Sequence, residues 1–150
     1  MSAEIVPFAL HHIDDLYRIE KACFSMPWTR ESLVSEFVNS YARYFVLVDE
    51  GVAAGYCGAH FIFDEGHITN IAVLPEYRRR GYGKSLVKYL INRAEKEGVK
   101  FLTLEVRVSN GAAQGLYRGF GFQAAGIRRG YYRRPDEDAM LMRLDMPGEG

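Results

Sequence analysis

Cysteine, net charge and long apolar runs are all scarce in this 150-residue chain. The two cysteines, Cys23 and Cys57, form no CxxC pair, so we expect reduced thiols and no disulfide framework. Nineteen basic and nineteen acidic residues cancel, which removes any long-range attraction to nucleic acid or an anionic membrane. No segment resembles a signal peptide or reaches the roughly 18 apolar residues of a membrane span. We therefore expect a cytoplasmic protein that binds neither membranes nor nucleic acid directly.

The remaining composition is that of an ordinary globular domain. Apolar residues make up 48% of the chain and charged residues 25%. At this length one domain is the natural expectation, and we assign it to residues 1–150. Residues 146–150, with the sequence MPGEG, follow the last apolar run and are expected to form a loose tail.

Hydrophobic periodicity predicts an α/β fold with the element order ααβββαβαβ. This order suggests a mixed, mostly antiparallel sheet with helices on both faces. The predicted helices cover residues 12–24, 29–38 with Thr29 as the cap, 83–96, and 110–118. The predicted strands cover residues 44–48, 52–63, 67–74, 101–108 and 139–144.

The segment from Arg78 to Lys84 is the most informative part of the sequence. It joins a strand to a helix through a turn that contains three arginines and two glycines, Gly81 and Gly83. The first backbone amides of a helix have no partner within the helix, and glycine lets an anion approach them closely. The segment therefore suits a phosphate group. A plain basic turn remains an alternative, whereas the matches to a nucleotide P-loop and to a dinucleotide fingerprint are incomplete.

These residues carry a resemblance to a known family. Arg78-x-x-Gly81-x-Gly83, placed after Asn70-Ile71-Ala72-Val73, resembles the R/Q-x-x-G-x-G/A motif of the GNAT acyltransferases. Further segments resemble the branch of this family that acetylates bacterial ribosomal proteins, and together they span nearly the whole chain. They are Pro27-Trp28, residues 104–110 (LEVRVSN), Leu116-Tyr117, Gly121-Phe122, residues 128–132 (RRGYY), and Asp138-Ala139.

The resemblance implies a GNAT fold that binds acetyl-CoA as a co-substrate; from the spacing of the histidines we expect no metal. It assigns the coenzyme's pyrophosphate to the motif itself and the thioester carbonyl to a backbone N–H group near residues 71–73. The coenzyme-binding residues it implies are Ile71, Ala72, Val73, Arg78, Arg79, Arg80, Gly81, Tyr82, Gly83, Lys84 and Asn110. Asn110 also reads as a simple helix N-cap, and the two roles are compatible.

Two side chains are candidates for proton transfer. Glu105 lies on the face of its strand opposite Leu104 and Val106, where it reads either as a solvated carboxylate or, by the resemblance, as the general base. Tyr117 reads either as a core aromatic or, by the resemblance, as the acid that protonates the departing thiolate. A phenol is only slightly weaker than the acid that a thiolate forms, so this transfer is chemically reasonable.

The resemblance also implies an acceptor, a protein N-terminal α-amine, with the N-terminal alanine of a small-subunit ribosomal protein as the first candidate. Tyr131 and Tyr132 are expected in a loop that clasps the acceptor peptide, and Trp28 forms the opposite wall or packs on the core. A lysine or a small-molecule amine remains an alternative acceptor. A non-catalytic module that binds CoA or contacts RNA is the remaining alternative.

The other reactive side chains do not form a recognisable site. The four histidines (His11, His12, His60 and His67) show no metal-ligand spacing with Cys, Asp or Glu. Cys57 alternates with apolar residues and is expected in the core, whereas Cys23 either packs or lines the acceptor site. No Ser/His/Asp arrangement supports a covalent intermediate. We therefore expect direct transfer between two bound substrates.

Overall fold

The computed structural model describes residues 3–147. Within this range the chain forms seven strands, four α-helices and two short 3-10 turns. The helices are α1 (Ile13–Cys23), α2 (Arg30–Phe37), α3 (Tyr82–Lys96) and α4 (Gly111–Gly119). The strands are β1 (Ala3–Pro7), β2 (Ala42–Asp49), β3 (Val52–Ile62), β4 (Glu65–Val73), β5 (Phe101–Arg107), β6 (Gln123–Tyr132) and β7 (Glu137–Asp145).

The capping residues set the helix starts, as the sequence predicts. Thr29 caps α2 because its hydroxyl accepts the backbone N–H of Ser32 at 3.1 Å. Asn110 caps α4 because its side-chain oxygen accepts the N–H of Ala113 at 3.0 Å. Gly81 precedes α3 with φ at +79°, a left-handed conformation that glycine adopts without strain.

All seven strands form one sheet in the order β1-β2-β3-β4-β5-β7-β6. Every neighbouring pair is antiparallel except β4 and β5, which run parallel. The β4–β5 pairing covers only three positions and ends where His67 pairs with Thr103. Beyond this point the two central strands separate, and the gap between them opens the sheet in its middle.

Helices cover both faces of the sheet, which confirms the predicted layering. On one face, α3 and α4 bury Leu86, Leu90 and Tyr117 against strand residues such as Leu47 and Leu102. On the other face, α1 and α2 bury a second cluster that contains Leu16, Ile19, Leu33, Tyr44 and Val46. Alternate residues of β2 enter the two clusters, as the period of a strand requires.

Two strands were missing from the predicted order. β1 is a five-residue edge strand that pairs with β2. β6 is the opposite edge strand, and because nine of its ten residues are exposed it lacks the apolar alternation that identifies a strand. The prediction that Tyr131 and Tyr132 lie in a loop is therefore wrong: both belong to the end of β6.

The chain end is held to the sheet at its first described residue after β7. The backbone N–H of Met146 donates to the carbonyl of Lys100 at 2.8 Å, and its side chain packs on the core. The predicted tail thus starts with an anchored residue, and positions 148–150 lie outside the described residues. Across residues 3–147, no helix combines the length and the apolar character that crossing a membrane requires.

Candidate active site

A cavity of about 580 Å³ fills the gap between β4 and β5. Its walls come from the end of α1 and the α1–α2 loop, from β4 and β5, from α4, and from the turn between β6 and β7. The candidate residues Trp28, Ile71, Glu105, Tyr117 and Tyr132 all line it. The fold therefore brings together side chains that are separated by more than 100 positions in the sequence.

A bulge in β4 accompanies the separation of the strands. Gly58 of β3 pairs with Asn70, but the next residue of β3 pairs with Ile68, so Thr69 has no partner. Such an extra residue bends a strand. The Tyr44 hydroxyl lies 2.8 Å from the Thr69 hydroxyl, and the Tyr44 ring occupies the space where a Cβ atom on Gly58 would stand.

The bend leaves one edge of β4 without a neighbouring strand. Leu74 donates its N–H to the carbonyl of Ala54 on β3, so by alternation Ala72 also faces β3. The backbone groups of Ile71 and Val73 point to the gap instead. The Val73 carbonyl accepts hydrogen bonds there from the Cys23 thiol at 3.4 Å and the Arg78 guanidinium at 3.1 Å. Backbone contacts to the coenzyme were predicted for Ile71, Ala72 and Val73. Of these three residues, Ile71 and Val73 have N–H groups that face the cavity side.

Glu105 projects from β5 with only 7% of its side chain exposed, so it is not a solvated carboxylate. Its Oε1 atom lies 2.8 Å from His67 Nε2, and its Oε2 atom lies 2.8 Å from Arg128 Nε. The Tyr131 hydroxyl is a more distant donor at 3.5 Å. Burial alone would raise the pKa of Glu105, but the hydrogen bond from His67 and the nearby charges outweigh it and lower the pKa.

His67 is the functional candidate that the sequence analysis missed. It lies on β4 at the last position paired with β5, and its Nδ1 atom is 2.7 Å from the Thr103 hydroxyl. Metal-ligand spacing, the criterion applied to the histidines, could not find it. The only signal in the sequence was the position of His67 at the start of a predicted strand that precedes the Arg78–Lys84 turn. Its partner Glu105 is 38 residues away.

Tyr117 lies on α4 with its ring buried against Phe122. Tyr117 lines the cavity, and among the described residues its hydroxyl makes no hydrogen bond. Burial raises the pKa of this phenol to about 12. Tyr117 is therefore both a core aromatic and a protonated hydroxyl available to a cavity ligand.

The turn before α3 offers an uninterrupted row of backbone donors. Within residues 3–147, the N–H groups of Arg79 through Lys84 make no hydrogen bond, because the first helical bond joins the N–H of Ser85 to the carbonyl of Gly81. Space within 4 Å of a Cβ on Gly81 is open. Free amides at the positive end of a helix suit a diphosphate.

The three arginines of this turn differ in their surroundings. Arg78 binds the Val73 carbonyl. Arg80 contacts an oxygen of Asp49 at 3.3 Å. The same oxygen accepts a hydrogen bond from the Tyr82 hydroxyl at 2.6 Å. Arg79 has a left-handed backbone with φ at +66° and an exposed side chain. Arg79 is therefore the guanidinium of this turn best placed to meet a bound anion without giving up a protein contact.

The α1–α2 side of the cavity is built around a buried carboxylate. Glu20 of α1 is 1% exposed and accepts the backbone N–H of Trp28 at 2.8 Å, the Tyr56 hydroxyl and the Asn70 amide. These contacts hold the α1–α2 loop against the sheet. The Trp28 ring packs beside Tyr44 and also lines the cavity. Its packing on the core is confirmed, whereas its role as a wall of the acceptor site stays a prediction.

The far wall carries aromatic and basic groups from the end of β6. Tyr132 lies under the guanidinium of Arg107 and lines the cavity, and burial raises the pKa of its phenol to about 12. Tyr131 packs edge-on against it and reaches toward Glu105. Arg133 and Arg134 extend this wall through the β6–β7 turn.

The two cysteines occupy different environments. Cys57 is fully buried, as predicted for a core residue, and burial raises the pKa of its thiol. Cys23 is half-buried and lines the cavity. In the described part of the chain, no three His, Cys, Asp or Glu side chains are grouped as ligands for a metal ion.

Comparisons with known proteins give a consistent result. A sequence profile described as the acetyltransferase (GNAT) family matches residues 13–122. A Bacillus subtilis (strain 168) relative is 45% identical over 134 residues, which cover 89% of each chain. The ribosomal protein bS18-alanine N-acetyltransferase of Escherichia coli (strain K12) is 42% identical over 130 residues, covering 85% of this chain and 87% of the relative.

Solved structures share the same architecture. The crystal structure of the ribosomal-protein-S18-alanine N-acetyltransferase from Escherichia coli superposes with a TM-score of 0.93 at 36% identity, covering 99% of this chain and 97% of that one. The structure of an N-acetyltransferase from Thermoplasma acidophilum in complex with coenzyme A shares the fold, with a TM-score of 0.83 at 17% identity. It covers 97% of this chain and 100% of its own.

Proposed function

The chain belongs to the GNAT acetyltransferase family, and from this premise we propose that it acetylates the N-terminal alanine of ribosomal protein bS18. The acetyl group comes from acetyl-CoA by direct transfer while both substrates are bound. The observation that carries this proposal is the 42% identity to the E. coli enzyme of that activity over 130 residues. The open sheet with its cavity supplies the room that two substrates need.

Members of this family use acetyl-CoA, and the donor groups in the α3 turn fit its pyrophosphate. In our proposal the free N–H groups of residues 79–84 hold the two phosphates, and Arg79 adds a positive charge. The unpaired edge of β4 then bonds the amide groups of the pantetheine arm. An N–H of Ile71 or Val73 polarises the thioester carbonyl, and Asn110 flanks the coenzyme from α4.

Glu105 serves as the base that removes a proton from the attacking amine, directly or through a water molecule. Its lowered pKa makes it a weak base, so it suits an amine that is already partly neutral. An α-amine with a pKa near 7.7–8.0 is neutral in roughly a tenth of molecules at pH 7. A lysine amine with a pKa near 10.4 is neutral at only about the 0.1% level or below. The base therefore favours an N-terminal acceptor over lysine.

Tyr117 serves as the acid that protonates the coenzyme thiolate as the carbon–sulfur bond breaks. Three features support this role: Tyr117 lines the cavity, its hydroxyl has no competing partner among the described residues, and its raised pKa keeps the hydroxyl protonated. The acceptor peptide lies between Trp28 on one wall and Tyr131 and Tyr132 on the other. Because bS18 is a ribosomal component, the reaction takes place in the cytoplasm.

The proposal is tested by incubating the purified protein with acetyl-CoA and two matched peptides. One carries the first residues of bS18 with a free N-terminal alanine, and the other is blocked at its N-terminus and contains one lysine. We expect acetylation of the first peptide at its α-amine, located by tandem mass spectrometry. The rate of this acetylation should fall by about a hundredfold or more in Glu105→Gln. Preferential acetylation of the lysine peptide would instead support a lysine acceptor, and no acetylation with retained coenzyme binding would support a non-catalytic module.

A further inference from the structure

The point where β4 and β5 separate carries a contact that no step of the proposed mechanism uses. His67 is the last β4 residue paired with β5, and Glu105 lies two residues beyond its partner Thr103. The imidazole bridges the opening gap: Nε2 is 2.8 Å from Glu105 and Nδ1 is 2.7 Å from the Thr103 hydroxyl. Both ring nitrogens of His67 are thus engaged, and Arg128 contacts the other carboxylate oxygen of Glu105.

The identity of the atoms fixes the direction of these hydrogen bonds. An ionised carboxylate only accepts, so Nε2 must carry a proton when Glu105 is charged. Nδ1 then accepts from the Thr103 hydroxyl when the ring is neutral and donates to it when the ring is charged. Because a hydroxyl can do either, the contact survives in both protonation states of the imidazole.

We propose that His67 is a positioning residue that directs Glu105 toward the acceptor amine. With His67 and the more distant Tyr131 hydroxyl on Oε1 and Arg128 on Oε2, the orientation of the carboxyl group is fixed and Oε2 retains one lone pair. The titratable or charged groups in contact with Glu105 are His67 from β4 and both Arg128 and Tyr131 from β6.

This inference rests on the proposed role of Glu105, and it makes a separate prediction. If His67 acts through Glu105, loss of the imidazole costs turnover only while the carboxylate is present. Misplacing a reacting group by a fraction of its contact distance typically costs about tenfold or more. We therefore expect kcat of His67→Leu to fall by about tenfold or more, with little change in the Kd for acetyl-CoA. His67→Gln, whose amide N–H can replace Nε2–H, should recover part of the loss.

A matched control lies on the adjacent strand. His60 pairs directly with His67 across β3 and β4, and it contacts Glu36 at 2.7 Å, compared with 2.8 Å between His67 and Glu105. It does not line the cavity. His60→Leu thus removes a comparable histidine–glutamate pair and should leave kcat within about twofold. A decrease in His60→Leu equal to that of His67→Leu would mean that loss of sheet packing, and not the direction of Glu105, lowers turnover.

The decisive measurements are a double-mutant cycle and a titration. The kcat of the double variant Glu105→Gln/His67→Leu should lie within about twofold of the kcat of Glu105→Gln. If the two substitutions acted independently, their effects on kcat would multiply. In protein labelled with carboxyl-¹³C glutamate, the Glu105 signal, assigned by its loss in Glu105→Gln, should titrate at higher pH in His67→Leu because a donor is lost while burial remains. Unchanged kcat in His67→Leu, multiplicative effects or an unmoved titration would each overturn the inference.

The cycle also separates this inference from the proposed function. If Glu105→Gln keeps the kcat of the parent enzyme, Glu105 is not the base and the proposed mechanism fails together with the role of His67. If Glu105→Gln loses activity while His67→Leu keeps it, only the role assigned to His67 is refuted.

Discussion

Replacing Tyr117 by phenylalanine removes one hydroxyl group and leaves the buried ring in place. The hydroxyl makes no hydrogen bond within residues 3–147, so its loss should change the free energy of unfolding by less than about 1 kcal/mol. Its loss from the reaction should be far more costly. The variant therefore separates the chemical role of Tyr117 from its role in packing.

The size of the kinetic effect follows from the acidity of the two groups. The pKa of Tyr117 is about 12, and that of a thiol is near 8.5. Complete proton transfer to the departed thiolate would cost about 3.5 pKa units, or roughly 5 kcal/mol. This is well below the barrier of about 16 kcal/mol for an enzyme that turns over about ten times per second. Since a thiolate already leaves readily, we expect the lower range for general acids, about 10²- to 10³-fold in kcat.

The pH dependence of kcat is a second test of the role of Tyr117. Tyr117 acts while protonated, and a raised pKa extends its protonated form to higher pH. At pH 10.5 a phenol with a pKa of about 12 is about 97% protonated, whereas one at the ordinary value near 10 is only about a quarter protonated. The kcat of the parent enzyme should therefore stay level up to about pH 10.5.

Steady-state assays of thiol release at saturating substrates, together with thermal melting curves, measure these effects. Tyr89→Phe is the matched control, because Tyr89 lies on α3 against Phe45 and away from the cavity. Its kcat should stay within about twofold of the parent. A kcat in Tyr117→Phe within twofold of the parent would refute the acid role. A loss of stability above about 1 kcal/mol would show that the hydroxyl has a structural partner.

Two further substitutions test how the cavity is built. In Gly58→Ala the new Cβ would meet the Tyr44 ring at 2.5 Å, so urea unfolding should show a decrease of about 1–3 kcal/mol in the free energy of unfolding. The control is Gly126→Ala, whose Cβ meets nothing within 4 Å and whose free energy of unfolding should change little. Equal stability of the two variants would contradict the packing described around Tyr44. Glu20→Leu leaves the Trp28 N–H and two buried side-chain donors without an acceptor and should cost about 3–5 kcal/mol, with a smaller loss in Glu20→Gln. A loss below about 1 kcal/mol in Glu20→Leu would show that those donors find other partners.

Most of the fold could be predicted because its core elements carry a strong period. The buried line Leu86, Leu90 and Ala94 identifies α3, and alternation identifies β5. The edge strands lack this signal. β6 is exposed on both faces and contains register shifts between Ala124 and Gly126 and between Arg128 and Tyr132, so its side chains follow no single alternation.

The candidate site was predictable only where one local segment determines it. The backbone donors around Gly81 follow from a helix start, which the sequence reveals directly. The surroundings of Glu105 depend on how distant strands pair: His67 reaches it because β4 and β5 run parallel for three residues, and Arg128 reaches it from the outermost strand across β7. No spacing rule within one segment could predict these partners.

The central claim is that the amides at the start of α3 hold the coenzyme and direct its thioester into the gap between β4 and β5. A crystal structure of the protein with acetyl-CoA tests it most directly. We predict phosphate oxygens within about 3 Å of the N–H groups of residues 79–84, and the acetyl group in the cavity between Glu105 and Tyr117. Phosphates bound elsewhere, or an acetyl group outside that cavity, would contradict it.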